Sequence, residues 1–352
     1  MTSAPTRTPG PSATTHPTTA GQPSNGHRLP SEAPAPTDGS VIVASPWAYF
    51  EGAFVPFEQA TVSIATHSLH YGTAIFEGIR AYRQADGGLA ALLLREHYER
   101  FLRNGRLLRS HPPEGVDDLV ELTIELLRRH GRAEDLYVRP ILYKSARSLR
   151  LQLTGLQERV AIYAFPMGDY VPTTGLRVSI SGWQRVNDNS IPARGKITGS
   201  YVNACLAVED AHSGGYEEAV MLTADGHVAE ASSANLFVVR GRELATPPVA
   251  DDVLPGITRE AVMTIGRDAG YDVVERKVDR TELYVADEVF LTGTGAQVAP
   301  VGSIDGRPIG TDGAPGPVAR DLQDRYFAAV RGRDPRYATW LTHIELQAAP
   351  RP

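Results

Sequence analysis

Lys196 is the residue whose type and surroundings most directly suggest chemistry. It lies in Arg194-Gly195-Lys196-Ile197-Thr198-Gly199-Ser200, a stretch of mostly small residues before an amphipathic run, and Tyr201 follows five positions later. A lysine with no adjacent acid serves as a nucleophile near neutral pH when burial or a nearby cation lowers the pKa of its amine. A single lysine in a loop is more often a surface residue, so this observation alone leaves both interpretations open.

Two glycine-containing segments downstream are typical of sites that bind an anion. Leu254-Pro255-Gly256-Ile257-Thr258 predicts a turn that begins a helix, whose first N–H groups and positive dipole end favour a phosphate. Thr292-Gly293-Thr294-Gly295-Ala296 follows a predicted strand, and its glycines allow backbone N–H groups to approach an anion. Taken alone, each segment is also compatible with ordinary helix capping or a plain glycine turn.

Three further side chains fit an aromatic cofactor beside Lys196. Glu230 lies in a predicted hairpin strand among small residues, where a carboxylate can keep a pyridine nitrogen protonated and make the ring an electron sink. Tyr201 can hydrogen-bond a phenolic oxygen, and Arg100, on the flank of a predicted helix, can place its charge against a phosphate. Together with the two anion segments, these residues predict pyridoxal phosphate joined to Lys196. Taken individually, these residues are more often a solvent-facing carboxylate, a core tyrosine and an exposed helical arginine.

The composition is that of a globular protein that acts on small molecules. The 352-residue chain has a formal net charge of −6 and no long basic run, which argues against nucleic acid or an anionic membrane surface as a partner. Its one cysteine, Cys205, rules out an internal disulfide and favours a reducing compartment, so we expect a cytoplasmic protein. We predict no transmembrane segment, no signal peptide and no metal site.

Changes in composition along the chain predict two domains after a disordered tail. Residues 1–40 are rich in Thr, Pro, Ser, Ala and Gly and favour disorder, with a targeting peptide as the alternative. Pro166–Gly175 contains two prolines, two glycines and two threonines and is predicted to be a linker. It would join a small α/β domain (41–165) to a larger cofactor-binding domain (176–352). Strands and helices do not alternate strictly, so the predicted fold class is α+β.

Hydrophobic periodicity and turn residues give the approximate positions of the elements. The predicted helices span residues 95–109, 116–130, 200–212, 255–270 and 317–330. The predicted strands lie at 47–55 (a hairpin), 89–94, 136–143, 160–165, 176–181, 220–231 (a second hairpin), 235–240, 271–278 and 288–292.

Six sequence blocks in suitable order make the chain resemble the class IV (fold type IV) pyridoxal-phosphate aminotransferases, most closely the branched-chain amino acid aminotransferases. The resemblance covers about residues 45–310 and implies the two-domain fold of that type, which is like that of D-amino-acid aminotransferase. The blocks are His70 through Arg80, Tyr137 through Pro140, Lys196 with Tyr201, Glu230 through Phe237, Leu254 through Arg259, and Ala286 through Phe290.

The resemblance also implies a role for each site residue. Lys196 would carry pyridoxal 5'-phosphate as a Schiff base and shuttle the proton. The other cofactor contacts would be Glu230 to the pyridine nitrogen, Tyr201 to the phenolic oxygen, and Arg100, Ile257, Thr258 and Thr294 to the phosphate. The substrate contacts would be Tyr137, Gly295 and Ala296 to the α-carboxylate, Arg139 to the distal carboxylate of glutamate, and Tyr71, Phe76 and Tyr170 to the side chain. The family is homodimeric, and a loop at 147–153 would close the partner's pocket.

The implied reaction is transamination of Leu, Ile and Val with 2-oxoglutarate, giving branched-chain 2-oxo acids and glutamate. An aminotransferase for D-amino acids or (R)-amines is one alternative, and Tyr137-Val138-Arg139-Pro140 argues against it. Aminodeoxychorismate lyase is a second alternative, because it shares the cofactor site but needs no 2-oxo acid acceptor. A non-catalytic pyridoxal-phosphate binder is a third, and the presence of every catalytic residue argues against it.

Overall fold

The computed structural model describes residues 44–168, 175–310 and 312–346, and these ranges contain two β-sheets and six α-helices. The predicted tail (1–40), Tyr170 and most of the predicted linker lie outside the described residues. Within these ranges no helix is long and apolar enough to cross a membrane. The same residues contain no group of three or more His, Cys, Asp or Glu side chains that could hold a metal ion.

The first sheet has eight strands and is built mainly from the N-terminal part of the chain. Seven of its strands are β1 (Trp47–Phe50), β2 (Ala53–Pro56), β3 (Ala74–Phe76), β4 (Ile79–Arg83), β5 (Leu89–Leu92), β6 (Leu136–Lys144) and β7 (Glu158–Pro166). β6 and β7 pair antiparallel along their whole length, from Leu136 opposite Pro166 to Lys144 opposite Glu158. This long ladder fixes the register of the strand that carries Tyr137 and Arg139.

The second sheet has nine strands from the C-terminal part of the chain. They are β8 (Leu176–Ile180), β9 (Glu218–Leu222), β10 (Val228–Ala231), β11 (Asn235–Arg240), β12 (Glu243–Thr246), β13 (Asp272–Glu275), β14 (Glu288–Gly293), β15 (Gln297–Ile304) and β16 (Arg307–Pro308). Their order is β10-β9-β8-β15-β14-β11-β12-β13, with β16 beside β15. A last strand, β17 (Leu341–Ile344), pairs with β5 and so returns the chain to the first sheet.

The helices cover the sheets. They are α1 (His67–Tyr71), α2 (Leu94–Gly105), α3 (Val116–His130), α4 (Tyr201–Ser213), α5 (Ile257–Asp268) and α6 (Pro317–Val330). α2 and α3 bury Leu94, Phe101 and Leu127 in one core with Val138 and Ile162 of the first sheet. Burial of such side chains stabilises the fold by about 1.5–3 kcal/mol each.

Alternate residues of β11 belong to different cores, because successive side chains of a strand point to opposite faces. Phe237 packs with α5 and α6 and with Tyr82 of β4, whereas Leu236 packs in a separate cluster on the other face. The core around Phe237 thus contains residues of both sheets. It holds the start of α5 next to the first sheet, where the candidate site lies.

Most predicted elements are confirmed, with small shifts at their ends. α3 ends at His130 as predicted, because Gly131 has a left-handed conformation (φ 74°) that closes the helix. α6 has the predicted bounds, and both predicted hairpins form. The predicted helix 95–109 is too long, since α2 ends at Gly105 and a short 3-10 turn follows. α1, β3, β4, β12, β15, β16 and β17 were not predicted, and the division into domains at residues 165 and 176 remains a prediction.

Glu288 caps helix α6 from a neighbouring strand. Its two carboxylate oxygens accept hydrogen bonds from Val318 N at 2.9 Å and Ala319 N at 2.7 Å. Gly316, which precedes the helix, provides no side-chain cap, and a Cβ at that position would lie 2.0 Å from Glu288 Cδ. The carboxylate therefore satisfies the free N–H groups at the start of α6.

Replacement of this cap will destabilise the protein. We expect Glu288→Ala to lower the free energy of unfolding by about 1–3 kcal/mol, because one buried and one partly buried N–H group lose their acceptor. The midpoint of urea unfolding, followed by circular dichroism, measures the change. Glu260→Ala, at an exposed position of α5, is the control and should leave the midpoint nearly unchanged. Equal midpoints for wild type and Glu288→Ala would contradict the capping role.

Candidate active site

A cavity of about 1050 Å³ lies between the first sheet, the loop before α4 and the start of α5. Its size is at the upper end of the range typical of small-molecule sites. It brings together most of the predicted site residues, which come from distant parts of the sequence. Those that line it are Phe76, Arg100, Tyr137, Arg139, Lys196, Tyr201, Glu230, Ile257, Thr258, Thr294, Gly295 and Ala296.

The loop that carries Lys196 is held against the first sheet by backbone contacts. Phe76 N donates a hydrogen bond to Lys196 O at 3.1 Å, and Ile197 forms an isolated bridge with Ile75. The amine of Lys196 donates to Tyr201 Oη at 2.7 Å and lies 4.8 Å from the centre of the Phe76 ring. A phenol and an aromatic face thus surround the amine, which has room on its cavity side for a reacting group.

Lys196 differs from the other lysines of the chain in its partners. The sequence contains three lysines, and Lys144 and Lys277 are paired with Glu158 and Asp225, each at 2.8 Å. A carboxylate in contact with an ammonium favours its charged form and so opposes its use as a nucleophile. Lys196 is therefore the lysine best suited to react with a carbonyl group.

Glu230 is a buried carboxylate with donors on both oxygens. Arg185 Nη2 lies 2.8 Å from Oε1, Asn235 Nδ2 donates to Oε2 at 2.8 Å, and Leu254 N lies 3.2–3.3 Å from the two oxygens. Burial raises the pKa of the Glu230 carboxyl above its ordinary value, although Arg185 and Leu254 act in the opposite direction. The carboxylate is thus held rigidly at the cavity wall, where it can accept a hydrogen bond from a protonated ring nitrogen.

The start of α5 forms the opposite end of the site. Gly256 is its N-cap and provides no side chain to satisfy the first N–H groups, and the Thr258 side chain is buried beside them. Such a helix start favours a phosphate through its free N–H groups and its dipole. The Thr292 hydroxyl, on a residue that also lines the cavity, is buried without a hydrogen-bond partner among the described residues.

Arg100 is fixed beside this helix start by a buried cluster. Its Nε and Nη2 donate to the two oxygens of Glu77 at 2.7 and 2.8 Å, and Nη1 donates to Pro255 O at 2.9 Å. Burial would raise the pKa of Glu77, but the charge of Arg100 and the hydrogen bonds of Arg100 and His97 hold it well below its usual range. Burial lowers the pKa of His97, whose Nδ1 donates to Glu77 Oε2 at 2.9 Å.

Arg139 provides positive charge at the side of the cavity formed by the first sheet. Its guanidinium lies 4.7 Å from the Phe76 ring centre and 5.1 Å from that of Tyr137, and its Nε has no hydrogen-bond partner among the described residues. Phe165 stacks on Tyr137 at 5.2 Å and also lines the cavity. This region therefore combines aromatic rings with a cation that has no carboxylate partner in the described part of the chain, so it can accept either an apolar group or an acid.

Tyr71 is not brought into the cavity of its own chain. It ends helix α1, and its hydroxyl donates to Leu149 O at 2.9 Å in the 147–153 loop. Ile64, Leu149 and Leu151 are exposed in the same region, with exposed fractions of 85%, 66% and 85%. Tyr170, the other residue predicted to line the side-chain pocket, lies outside the described residues.

The residues present fit pyridoxal 5'-phosphate. The cavity has an amine at Lys196, a phenol at Tyr201, a buried carboxylate at Glu230 and an uncapped helix start that can receive a phosphate. The Thr292 hydroxyl, which no other described residue hydrogen-bonds, is a further polar atom available to a ligand. These groups match the aldehyde, the phenolic oxygen, the ring nitrogen and the phosphate of that cofactor.

Sequence reasoning missed four residues that position this site. Arg185 and Asn235 hold Glu230, and Glu77 with His97 holds Arg100. Arg185 and His97 have no local sequence signal, because they are single residues whose partners are far away along the chain. Asn235 is the one that a pattern could have indicated, since a polar residue that begins an apolar strand at residues 235–239 is unusual.

Comparison with known proteins identifies the family. The profile of the family described as Amino-transferase class IV matches residues 74–304. A probable branched-chain-amino-acid aminotransferase from Aquifex aeolicus (strain VF5) is 46% identical over 301 residues, which cover 85% of this chain and 96% of that protein.

Two solved structures show the same fold. The branched-chain aminotransferase from Thermoproteus uzoniensis, crystallised with norvaline, has a TM-score of 0.82 and 39% identity, covering 85% of this chain and 99% of that one. The branched-chain amino acid aminotransferase from Thermobaculum terrenum, in its PLP-bound holo-form, has a TM-score of 0.82 and 34% identity, covering 86% and 99%. With a matching profile and relatives that cover most of its length, the chain belongs to the class IV aminotransferases.

Proposed function

We propose that this protein transfers the amino group of branched-chain L-amino acids to 2-oxoglutarate with pyridoxal 5'-phosphate as its cofactor. The observation that carries the proposal is the cavity in which the Lys196 amine lies with the buried Glu230 carboxylate and the uncapped start of α5. The relatives named as branched-chain aminotransferases, at 34–46% identity, support the same substrates.

The cofactor and the residues of the chain divide the chemistry between them. When bound, pyridoxal 5'-phosphate supplies an aldehyde that takes up the amino group and a ring that accepts electrons from the substrate. Lys196, once its amine is free, removes the proton from the substrate Cα as a general base and returns a proton as a general acid. Glu230 would keep a proton on the ring nitrogen, and the Tyr201 hydroxyl holds the Lys196 amine in place.

The phosphate would be held by Arg100, Ile257, Thr258 and Thr294. The substrate α-carboxylate would be oriented by Tyr137 and by the backbone at Gly295 and Ala296. These assignments are proposals, supported by the position of each residue on the cavity wall. Within the described ranges, Glu77 and Pro255 use three of the five N–H donors of Arg100, which leaves two available for an anion. The network thus positions the guanidinium before any phosphate arrives.

One pocket must accept both leucine and glutamate in the two halves of the reaction. Phe76, Tyr137 and Phe165 offer an apolar surface, and one methylene there changes the barrier by only about 1–3 kcal/mol, so discrimination among Leu, Ile and Val should be weak. The Arg139 guanidinium lies over the rings of Phe76 and Tyr137 and would pair with the distal carboxylate of glutamate.

We also propose a cytoplasmic homodimer of two-domain subunits. The single cysteine of the sequence suits a reducing compartment. The exposed side chains of Ile64, Leu149 and Leu151 favour contact with a second subunit, whose pocket the 147–153 loop and Tyr71 would help to close.

Lys196→Ala tests the proposed function. We expect turnover of leucine with 2-oxoglutarate to fall by about a thousandfold or more, because the group that moves the proton is removed. A coupled assay for glutamate formation measures the rate. The control is Lys277→Ala, which replaces an exposed lysine paired with Asp225 and should keep wild-type activity. Transamination by Lys196→Ala at the wild-type rate would refute the assignment.

Arg139→Ala separates the two substrates. We expect kcat/KM for glutamate to fall by about ten- to a hundredfold, since a charged hydrogen bond contributes about 1.5–3 kcal/mol. Leucine has no distal carboxylate, so its kcat/KM should change by less than about threefold. Initial rates with each donor give both values, and Arg159→Ala, on the neighbouring strand β7, is the control. Equal losses for both donors would mean that Arg139 is structural.

A further inference from the structure

Asn235 lies between the two ends of the proposed cofactor site, Glu230 and the turn before α5, and its side chain is hydrogen-bonded to both. Its Nδ2 donates to Glu230 Oε2 at 2.8 Å and to Leu254 O at 3.0 Å. Glu230 is the proposed partner of the ring nitrogen, and Leu254 begins the turn that leads into α5. The side chain is buried, with 4% of its surface exposed, and lines the cavity.

The chemistry of the two partners fixes the orientation of this amide. A carboxylate and a backbone carbonyl are both acceptors, so the NH₂ group of Asn235 must face them and its oxygen must point away. Both N–H groups of the amide are then used, one at each end of the site. A buried amide in this position has one orientation that satisfies its neighbours, which makes it a rigid connection.

Gly256 leaves the space that this amide occupies. A Cβ at Gly256 would lie 1.9 Å from Asn235 Oδ1, far below the 3.0 Å that real contacts reach. The backbone of Gly256 (φ −70°, ψ 132°) is one that any residue adopts, so its conformation does not require glycine. The absence of a side chain at Gly256 therefore serves the close approach of Asn235.

We propose that Asn235 is a positioning residue that sets the separation between the Glu230 carboxylate and the phosphate-binding start of α5, and that Gly256 makes this contact possible. The proposal rests on the proposed function, because it takes Glu230 and α5 to bind the two ends of one rigid cofactor. A ligand of fixed length binds well only if its two anchors are held at the matching distance. Asn235 connects the anchors directly through one planar group.

The test compares binding of pyridoxal 5'-phosphate and of pyridoxal, which lacks the phosphate, to the full chain freed of cofactor. We expect Asn235→Ala to weaken binding of pyridoxal 5'-phosphate by about tenfold or more, because two hydrogen bonds at the site are lost. The binding of pyridoxal should weaken much less, since pyridoxal uses only one of the two anchors. At saturating cofactor, kcat should fall while KM for leucine stays unchanged.

Gly256→Ala gives a second, independent variant. Alone, this substitution should also weaken the binding of pyridoxal 5'-phosphate, because the methyl group of the new alanine displaces the Asn235 amide. In the Asn235→Ala background the obstruction is gone, so the double variant should bind no worse than Asn235→Ala alone. Asn104→Ala replaces an equally buried asparagine (3% exposed) outside the cavity and should leave the ratio of the two affinities unchanged.

The outcomes separate the two proposals. Failure of the wild type to bind pyridoxal 5'-phosphate would overturn the proposed function, and this inference with it. If the wild type binds but Asn235→Ala weakens both ligands equally, or neither, Asn235 does not set the separation. The inference would likewise be overturned if Gly256→Ala weakened the binding of pyridoxal 5'-phosphate by the same factor in the wild type and in the Asn235→Ala variant. A selective loss for the phosphorylated ligand that is not increased by the second substitution would support it.

Discussion

The buried carboxylate of Glu230 is the constraint on which the site depends. A charge removed from water is costly unless donors surround it, and here Arg185, Asn235 and the backbone of Leu254 supply them. These donors come from the loop after β8, from β11 and from the turn before α5. Satisfying one carboxylate therefore draws three separate segments together, and the cavity wall is a consequence of that requirement.

The charged groups of Glu230 and Arg100 at the two ends of the cavity have partners of opposite charge, whereas within the described ranges the amine of Lys196 does not. Glu230 is paired with Arg185, and Arg100 is paired with Glu77, so both ends are neutralised within the protein. The Lys196 amine contacts the phenol of Tyr201 and the ring of Phe76, and among the described residues it has no carboxylate partner. The amine is thus left as the nucleophile, while the ion pairs give the ends a fixed geometry that does not depend on a ligand.

The sequence was informative where local rules decide the structure. Gly131 closes α3, and Pro317 begins α6 where a missing N–H does no harm, so both helices were predicted with correct bounds. The fold class and the family were also predicted and are confirmed by the class IV profile and the solved relatives. The turn at Pro255-Gly256 that opens helix α5 was also predicted from a local pattern, and the helix begins at Ile257.

Long-range pairing explains what could not be predicted. β15 contains Pro300 and Gly302, which argue against a central strand, yet it lies between β8 and β14. Pro300 is tolerated because the pairing of β15 with β8 begins only at Val301. Arg185 likewise gains its role from a carboxylate 45 positions later, which no local pattern reveals.

The identity of the reactive lysine is the most direct test of the whole account. The chain offers only Lys144, Lys196 and Lys277, so borohydride reduction in the presence of pyridoxal 5'-phosphate, followed by peptide mapping, distinguishes all three. The account predicts that the added mass is found on the peptide that contains Lys196, in an amount of one per chain. Modification of Lys144 or Lys277 with Lys196 left free would contradict it.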